Sequence, residues 1–285
     1  MKKKIISVIA GVAGLVAAYF LVSGISNVIY HHPEESATAE STMESAEQGT
    51  EEAKTAMTED EINEMLSGMK ATETAETVTE EQSEVIPVKF EELQAVNPDV
   101  YAWITVPGTD IDYPILQHAS DNTYYLMHNI DGSYGYPGCI YTENMNSKDF
   151  TDNNTVIYGH NMKNGSMFAQ LHKFEDPDFF KENREVLIYL PDEVLHYTIF
   201  AAHIYDDRHL LYSFDFTDPD AYQKYLDSVF NIRDMSANID KDMTVTTDDQ
   251  IITLVTCIGS QPNNRLLVQA VLTDREAGTE AENAE

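Results

Sequence analysis

The stretch from Ile251 to Leu272, IITLVTCIGSQPNNRLLVQAVL, restricts the fold more than any other part of the chain. Ile251, Ile252, Leu254 and Val255 are aliphatic, and so are Leu266, Leu267, Val268 and Val271. Runs of this kind favour strands. Between them, Gly259, Pro262, Asn263 and Asn264 are turn formers. The pattern predicts two strands joined by a short loop. Cys257 ends the first strand and Arg265 starts the second. A rigid strand end can hold a thiol and a guanidinium on one side of a sheet, within reach of one carbonyl group. Taken alone, Cys257 reads equally well as a small hydrophobe in a core strand.

Other short strands are expected upstream. Tyr101–Val106 and Ile111–Leu116 flank Pro107-Gly108-Thr109-Asp110, a turn with Pro and Gly in suitable places. Cys139–Thr142, Thr155–Tyr158, Val186–Leu190 and Val194–Ala202 follow, the last two joined at Pro191-Asp192. About eight short strands argue for a closed barrel or a sandwich. Helices interrupt them. Phe90–Val96 reads as a short helix, and Met167–Phe174 as another with Ser166 as its N-cap. Asp218-Pro219 opens a third, with Tyr222, Tyr225, Leu226, Val229 and Phe230 on one stripe. The fold class expected is mainly β with accessory helices.

Charge divides the chain. There are 49 acidic and 17 basic residues, a formal net charge of −32, which argues against nucleic acid as a partner of the folded part. Lys2, Lys3 and Lys4 precede an uncharged run from Ile5 to Tyr30. That run is long enough to span a bilayer, which needs ~20 apolar residues. The positive-inside rule keeps the lysines cytoplasmic and puts the remaining chain outside the cell membrane; a cleaved signal peptide is the alternative reading of this segment. From 31 to 84, sixteen acidic residues face two lysines and no aromatic residue occurs. Such a segment buries too little apolar area to offset its ordering entropy. The expected organisation is therefore a cytoplasmic and membrane-anchor segment at 1–30 and an acidic disordered stalk at 31–85. A catalytic domain at 86–273 and an acidic, frayed tail at 274–285 complete it. Within the stalk, Glu61–Met69 carries a weak helical signal.

A cysteine nucleophile needs a base or cation that favours the thiolate. Of nine histidines, His160 is best placed. It ends the strand TVIYG and opens the polar loop Asn161-Met162-Lys163-Asn164-Gly165, where a scaffold can present a catalytic group. His196 and His203 read as strand residues, His172 as helical and His209 as a loop residue. Arg265 is suited to stabilise charge on a carbonyl oxygen, because guanidinium is always charged and offers a fixed fork of donors. Its ordinary alternative is a surface ion pair. No HExxH, CxxC or GxxxxGK pattern is present, so neither metal nor cofactor is expected. Two cysteines are too few for a disulfide framework.

These residues resemble a known family. TLVTC (253–257) resembles the TLxTC motif of sortases, and YGHNMKNGSMFAQL (158–171) resembles the histidine segment of class B sortases. Arg265 matches their third residue. NPDVYAWITVPGTDIDYPILQ (97–117) and DNTYYL (121–126) are similar to the class B amino-terminal region, and the likeness runs from about Val88 to Leu272. The resemblance implies an eight-stranded sortase β-barrel with N-terminal helices. It also implies an extra helix between strands 6 and 7, where Asp218–Ile232 falls. The activity implied is that of a membrane-anchored cysteine transpeptidase of the thiol-peptidase type in Gram-positive bacteria.

By the same resemblance, Cys257 attacks the Thr carbonyl of a C-terminal sorting signal on a surface protein. His160 protonates the leaving amine and Arg265 holds the carbonyl. The acceptor is an amine on a peptidoglycan precursor or a pilin subunit. Asn122, Leu126 and Tyr158 match residues lining the class B substrate groove. The chain departs from the pattern at Val255, where serine is frequent, in its short neutral Cys-to-Arg loop, and at Cys139, where a small residue is usual. Cys139 reads as core, or alternatively as a disulfide partner of Cys257. Two other functions remain: a peptidase that passes the acyl group to water, and a non-catalytic wall-binding module.

Overall fold

The computed structural model describes residues 57–70 and 84–280. The expected membrane segment and most of the expected stalk lie outside these residues. Among the described residues, no helix is long and apolar enough to cross a membrane.

The elements follow in chain order. Helix α1 (Glu59–Gly68) is followed by β1 (Glu84–Ile86), α2 (Phe90–Val96), β2 (Val100–Val106), β3 (Ile111–Leu116), β4 (Ile140–Thr142) and β5 (Asn154–Tyr158). A 3₁₀ segment (Phe168–Glu175), α3 (Pro177–Glu182), β6 (Glu185–Tyr189), β7 (Glu193–Asp206), the single turn α4 (Leu210–Ser213) and α5 (Pro219–Phe230) come next. The chain then forms β8 (Asn238–Ile239), β9 (Ile251–Ile258) and β10 (Gln261–Glu280). Eight strands close a ring in the order β10-β9-β5-β4-β3-β2-β6-β7, with β7 pairing back onto β10. The expected barrel is therefore present. Helix α5 lies between β7 and β9, the sixth and seventh strands of the ring, as the resemblance implied. Asp218 caps it by accepting from Asp220 N at 3.0 Å, with Pro219 in the first turn.

The alternation of side chains along a strand sets which residues face the interior. On β9, Ile252, Leu254 and Ile258 join the barrel core, together with Ile157 of β5 and Leu266 and Val268 of β10. Their neighbours Ile251, Val255, Val156, Leu267 and Val271 face outward and pack beneath Tyr222, Tyr225, Leu226 and Val229 of α5. Strand β9 is thus buried on both faces until Cys257, its one exposed residue. That double burial explains its unbroken aliphatic run.

Three elements depart from the sequence reading. Within the stalk expected to be disordered, the weak helical signal at Glu61–Met69 corresponds to a docked helix, Glu59–Gly68. Thr58 and Glu61 make a reciprocal capping box, and Ile62 and Leu66 bury against the cluster containing Trp103, Val88 and Phe90. From Asp274 to Glu280 the expected tail is strand. Arg275 pairs with Leu195 across the ladder and bonds Glu193 at 2.7 Å, and Gly278–Glu280 pair with Glu84–Ile86. Polar composition concealed this, because the ordering comes from partners some eighty residues away or more. Finally, Ser166 caps no helix. Met167 adopts φ +55°, which forces a sharp bend, and the 3₁₀ segment starts at Phe168 without a side-chain cap.

Candidate active site

Strand pairing brings three side chains to one outward face. Arg265 is the direct register partner of Cys257. On the other side β5 runs parallel to β9 with Tyr158 opposite Val255, so His160, two residues on, comes alongside Cys257. Odd-numbered positions of β9 and β10, and even-numbered positions of β5, all point away from the barrel interior. Adjacent strands are ~4.8 Å apart, so Cys257 and Arg265 stand side by side on β9 and β10, and His160, just past the end of β5, lines the same groove.

Beyond the end of β5 the chain stays stapled to β9. Gly159 N donates to Val255 O at 3.1 Å, and Thr256 Oγ1 donates to Gly159 O at 2.9 Å. Glycine is required there. A Cβ would fall 2.6 Å from Phe168 Cγ and 2.5 Å from Ile140 Cδ1.

The three residues line a groove of about 380 Å³. Leu126, Tyr158 and Val255 share its wall with Tyr205 and His209. Cys257 is exposed within it. His160 Nε2 donates to Leu126 O at 2.7 Å, and the Tyr136 ring meets the imidazole edge-on at 5.2 Å. Arg265 Nη1 donates to Pro262 O at 2.8 Å and Asn264 O at 2.9 Å, which fixes the guanidinium against its own loop.

Of the expected substrate residues, Leu126 and Tyr158 sit in the groove. Asn122 stands apart from its wall, with Oδ1 accepting from Asn144 N at 2.9 Å. Cys139 is free and buried, its Sγ 3.4 Å from His128 O, and burial pushes its thiol pKa well up. It therefore packs as core, and the disulfide alternative does not occur.

A further wall, built from the end of β7 and the following loop, Tyr205 to Leu210, carries no motif in the sequence. His209 reaches from that loop to Glu143 just after β4, with Nε2 2.8 Å from both carboxylate oxygens. Nothing local signals this pair, since 66 positions separate its members. Among the described residues no group of three or more His, Cys, Asp or Glu side chains is arranged to hold a metal ion.

A family model described as the sortase domain matches residues 104–273. The chain belongs to the sortase family. Sortase B of Listeria monocytogenes is 32% identical over 74% of this chain and 85% of its own length. The Clostridium perfringens sortase B structure superposes with a TM-score of 0.59 at 32% identity, covering 65% of this chain and all of that one. A Staphylococcus aureus sortase B–substrate complex gives 0.59 at 25% identity, over 75% of this chain and 91% of that one. The likeness is thus to class B sortases, which are cysteine transpeptidases.

Proposed function

We propose that this sortase is a membrane-anchored, extracellular class B enzyme that cuts a C-terminal sorting signal after Thr and joins the protein to an amine. Residues 5–30 serve as the anchor. The observation that carries the chemical assignment is that the chain has two cysteines, of which Cys139 is buried and Cys257 is exposed in the groove. A cysteine transpeptidase needs a reachable thiolate, and Cys257 is the residue that meets this need.

The steps follow from the neighbours. The Cys257 thiolate attacks the Thr carbonyl, and the C–O π electrons move onto oxygen. Arg265 stabilises that oxyanion. Its Nη1 is tied to its loop, while among the described residues Nε and Nη2 have no partner. Losing one such donor typically costs ~10²–10³-fold in kcat. When the tetrahedral species collapses, the C–N bond breaks and the departing amine takes a proton from the His160 imidazolium. A thioester to Cys257 remains. His160 Nε2 is engaged by Leu126 O, so Nδ1 is the atom left to give and take this proton. The incoming amine loses a proton to His160, attacks the thioester and expels the thiolate.

Leu126 and Tyr158 are assigned to the substrate wall, and Asn122, which does not line the groove, is assigned to substrate contact by resemblance alone. The acceptor is a peptidoglycan-precursor or pilin amine. A Streptococcus pyogenes class B sortase, 28% identical with a TM-score of 0.56, is involved in pilus biogenesis, and a pilin amine is a chemically equivalent acceptor. The test incubates the full-length protein with a sorting-signal peptide, with and without a peptidyl amine. Transpeptidation requires that the amine raises turnover and enters the product. Product formed only with water would instead define a peptidase.

A further inference from the structure

The backbone carbonyl of Cys257 sits where both flanking ladders run out. On the β10 side the register breaks between Arg265 and Gln261. On the β5 side the last backbone bond is Gly159 N to Val255 O. A carbonyl at such a place needs a partner, and a cluster of side chains supplies it. Asn161 Nδ2 donates to Cys257 O at 2.9 Å. His172 Nε2 lies 3.1 Å from the same oxygen and 3.0 Å from Asn161 Nδ2. His172 Nδ1 lies 2.7 Å from Glu175 Oε2.

The proton positions follow from what each group can do. An ionised carboxylate only accepts, so His172 Nδ1 carries the hydrogen. In the neutral ring Nε2 is then an acceptor. One amide hydrogen of Asn161 goes to that nitrogen and the other to Cys257 O. In the protonated ring, Nε2–H joins Asn161 on the carbonyl, which has two lone pairs. Either way Cys257 O is held.

We infer that Asn161 is a positioning residue for the transpeptidase reaction, oriented by His172 and Glu175, and that it sets the separation of thiol and imidazole. The inference rests on Cys257 being the nucleophile. Asn161 directly follows His160, so one side chain ties the backbone bearing the imidazole to the backbone bearing the thiol. The loop it starts is itself closed, with Phe168 N donating to His160 O at 2.9 Å and Asn161 bridged to Met167. Asn161, His172 and Glu175 do not line the groove, so they act through Cys257 and His160 and not on substrate. A misplacement of about 1 Å between reacting groups can cost ~100-fold in rate.

The experiment measures steady-state transpeptidation by full-length Asn161→Ala, Asn161→Asp, Glu175→Gln and Cys257→Ala variants. Folded enzyme is counted for every variant by size-exclusion chromatography and near-UV circular dichroism, so that unfolded protein does not enter kcat. Both Asn161 variants should lose about tenfold to a hundredfold in kcat, with KM changed less than about twofold. Aspartate matches asparagine in shape but cannot donate, so it should be no better than alanine. Glu175→Gln should keep most activity, because its amide oxygen still accepts from Nδ1–H. Asn161→Asp at wild-type kcat, or a change in KM alone, would overturn the inference while an inactive Cys257→Ala left the nucleophile assignment standing. Turnover by Cys257→Ala would overturn both.

Discussion

His160 Nε2 lies 2.7 Å from the backbone carbonyl oxygen of Leu126, which fixes the imidazole from outside its own loop. That carbonyl has its own support. Gly138 has φ +68°, and a Cβ there would fall 2.6 Å from Tyr125 O and 2.8 Å from Leu126 O. Gly138→Ala should therefore push the Leu126 peptide and release the imidazole. The expected outcome is a loss of about tenfold or more in kcat, with a stability loss above ~1 kcal/mol from the positive φ. Kinetics per competent enzyme and a urea titration measure the two effects. An unchanged kcat would mean that the Leu126 carbonyl does not hold His160 for catalysis.

The two thiols should differ sharply. Cys139 is 5% exposed and burial raises its pKa, so little thiolate forms and reagents cannot reach it. Native protein should give one rapid equivalent with a thiol reagent, from Cys257, and two equivalents in guanidinium. Two rapid equivalents would contradict the buried packing of Cys139, and none would indicate a disulfide.

Acid should weaken the fold through His203. Its ring is buried on β7, and burial lowers its pKa from the ordinary value near 6.5, despite bonds to Ile204 O and Gln269. The unfolded imidazole takes up a proton as pH falls through about 6.5, while the native one stays neutral to lower pH. Stability is therefore full above 6.5 and declines below it, by at most ~1.4 kcal/mol per pH unit from this group. Urea midpoints at pH 7.5 and 5.5 should show a larger drop for wild type than for His203→Gln. Equal drops would rule His203 out as the source.

Much of this architecture was legible because it is locally encoded. Ile111–Leu116 and Phe90–Val96 form at the expected residues, and the aliphatic run before Cys257 is strand. The grouping of His160, Cys257 and Arg265 was legible through motifs, although the shared face of Cys257 and Arg265 follows from strand parity, which was equally present in the sequence. What escaped depends on distant pairing. Asp274–Glu280 looks like a polar tail until β1 and β7 are laid beside it, and Glu143 has no meaning until His209 arrives. Asn161 was read as one of several loop polar residues, since its partner is a backbone atom 96 positions away. Asn122 matched a family position, and its Oδ1 accepts from Asn144 N, a partner 22 positions away.

Covalent capture of the intermediate tests the account most directly. Full-length protein is mixed with a sorting-signal peptide without amine, quenched in acid and analysed by intact mass and peptide mapping. The account predicts an adduct equal to the peptide up to its Thr, attached to residue 257, cleaved by hydroxylamine and missing from Cys257→Ala. Product released with no adduct on Cys257, or an adduct that survives the alanine substitution, would contradict it.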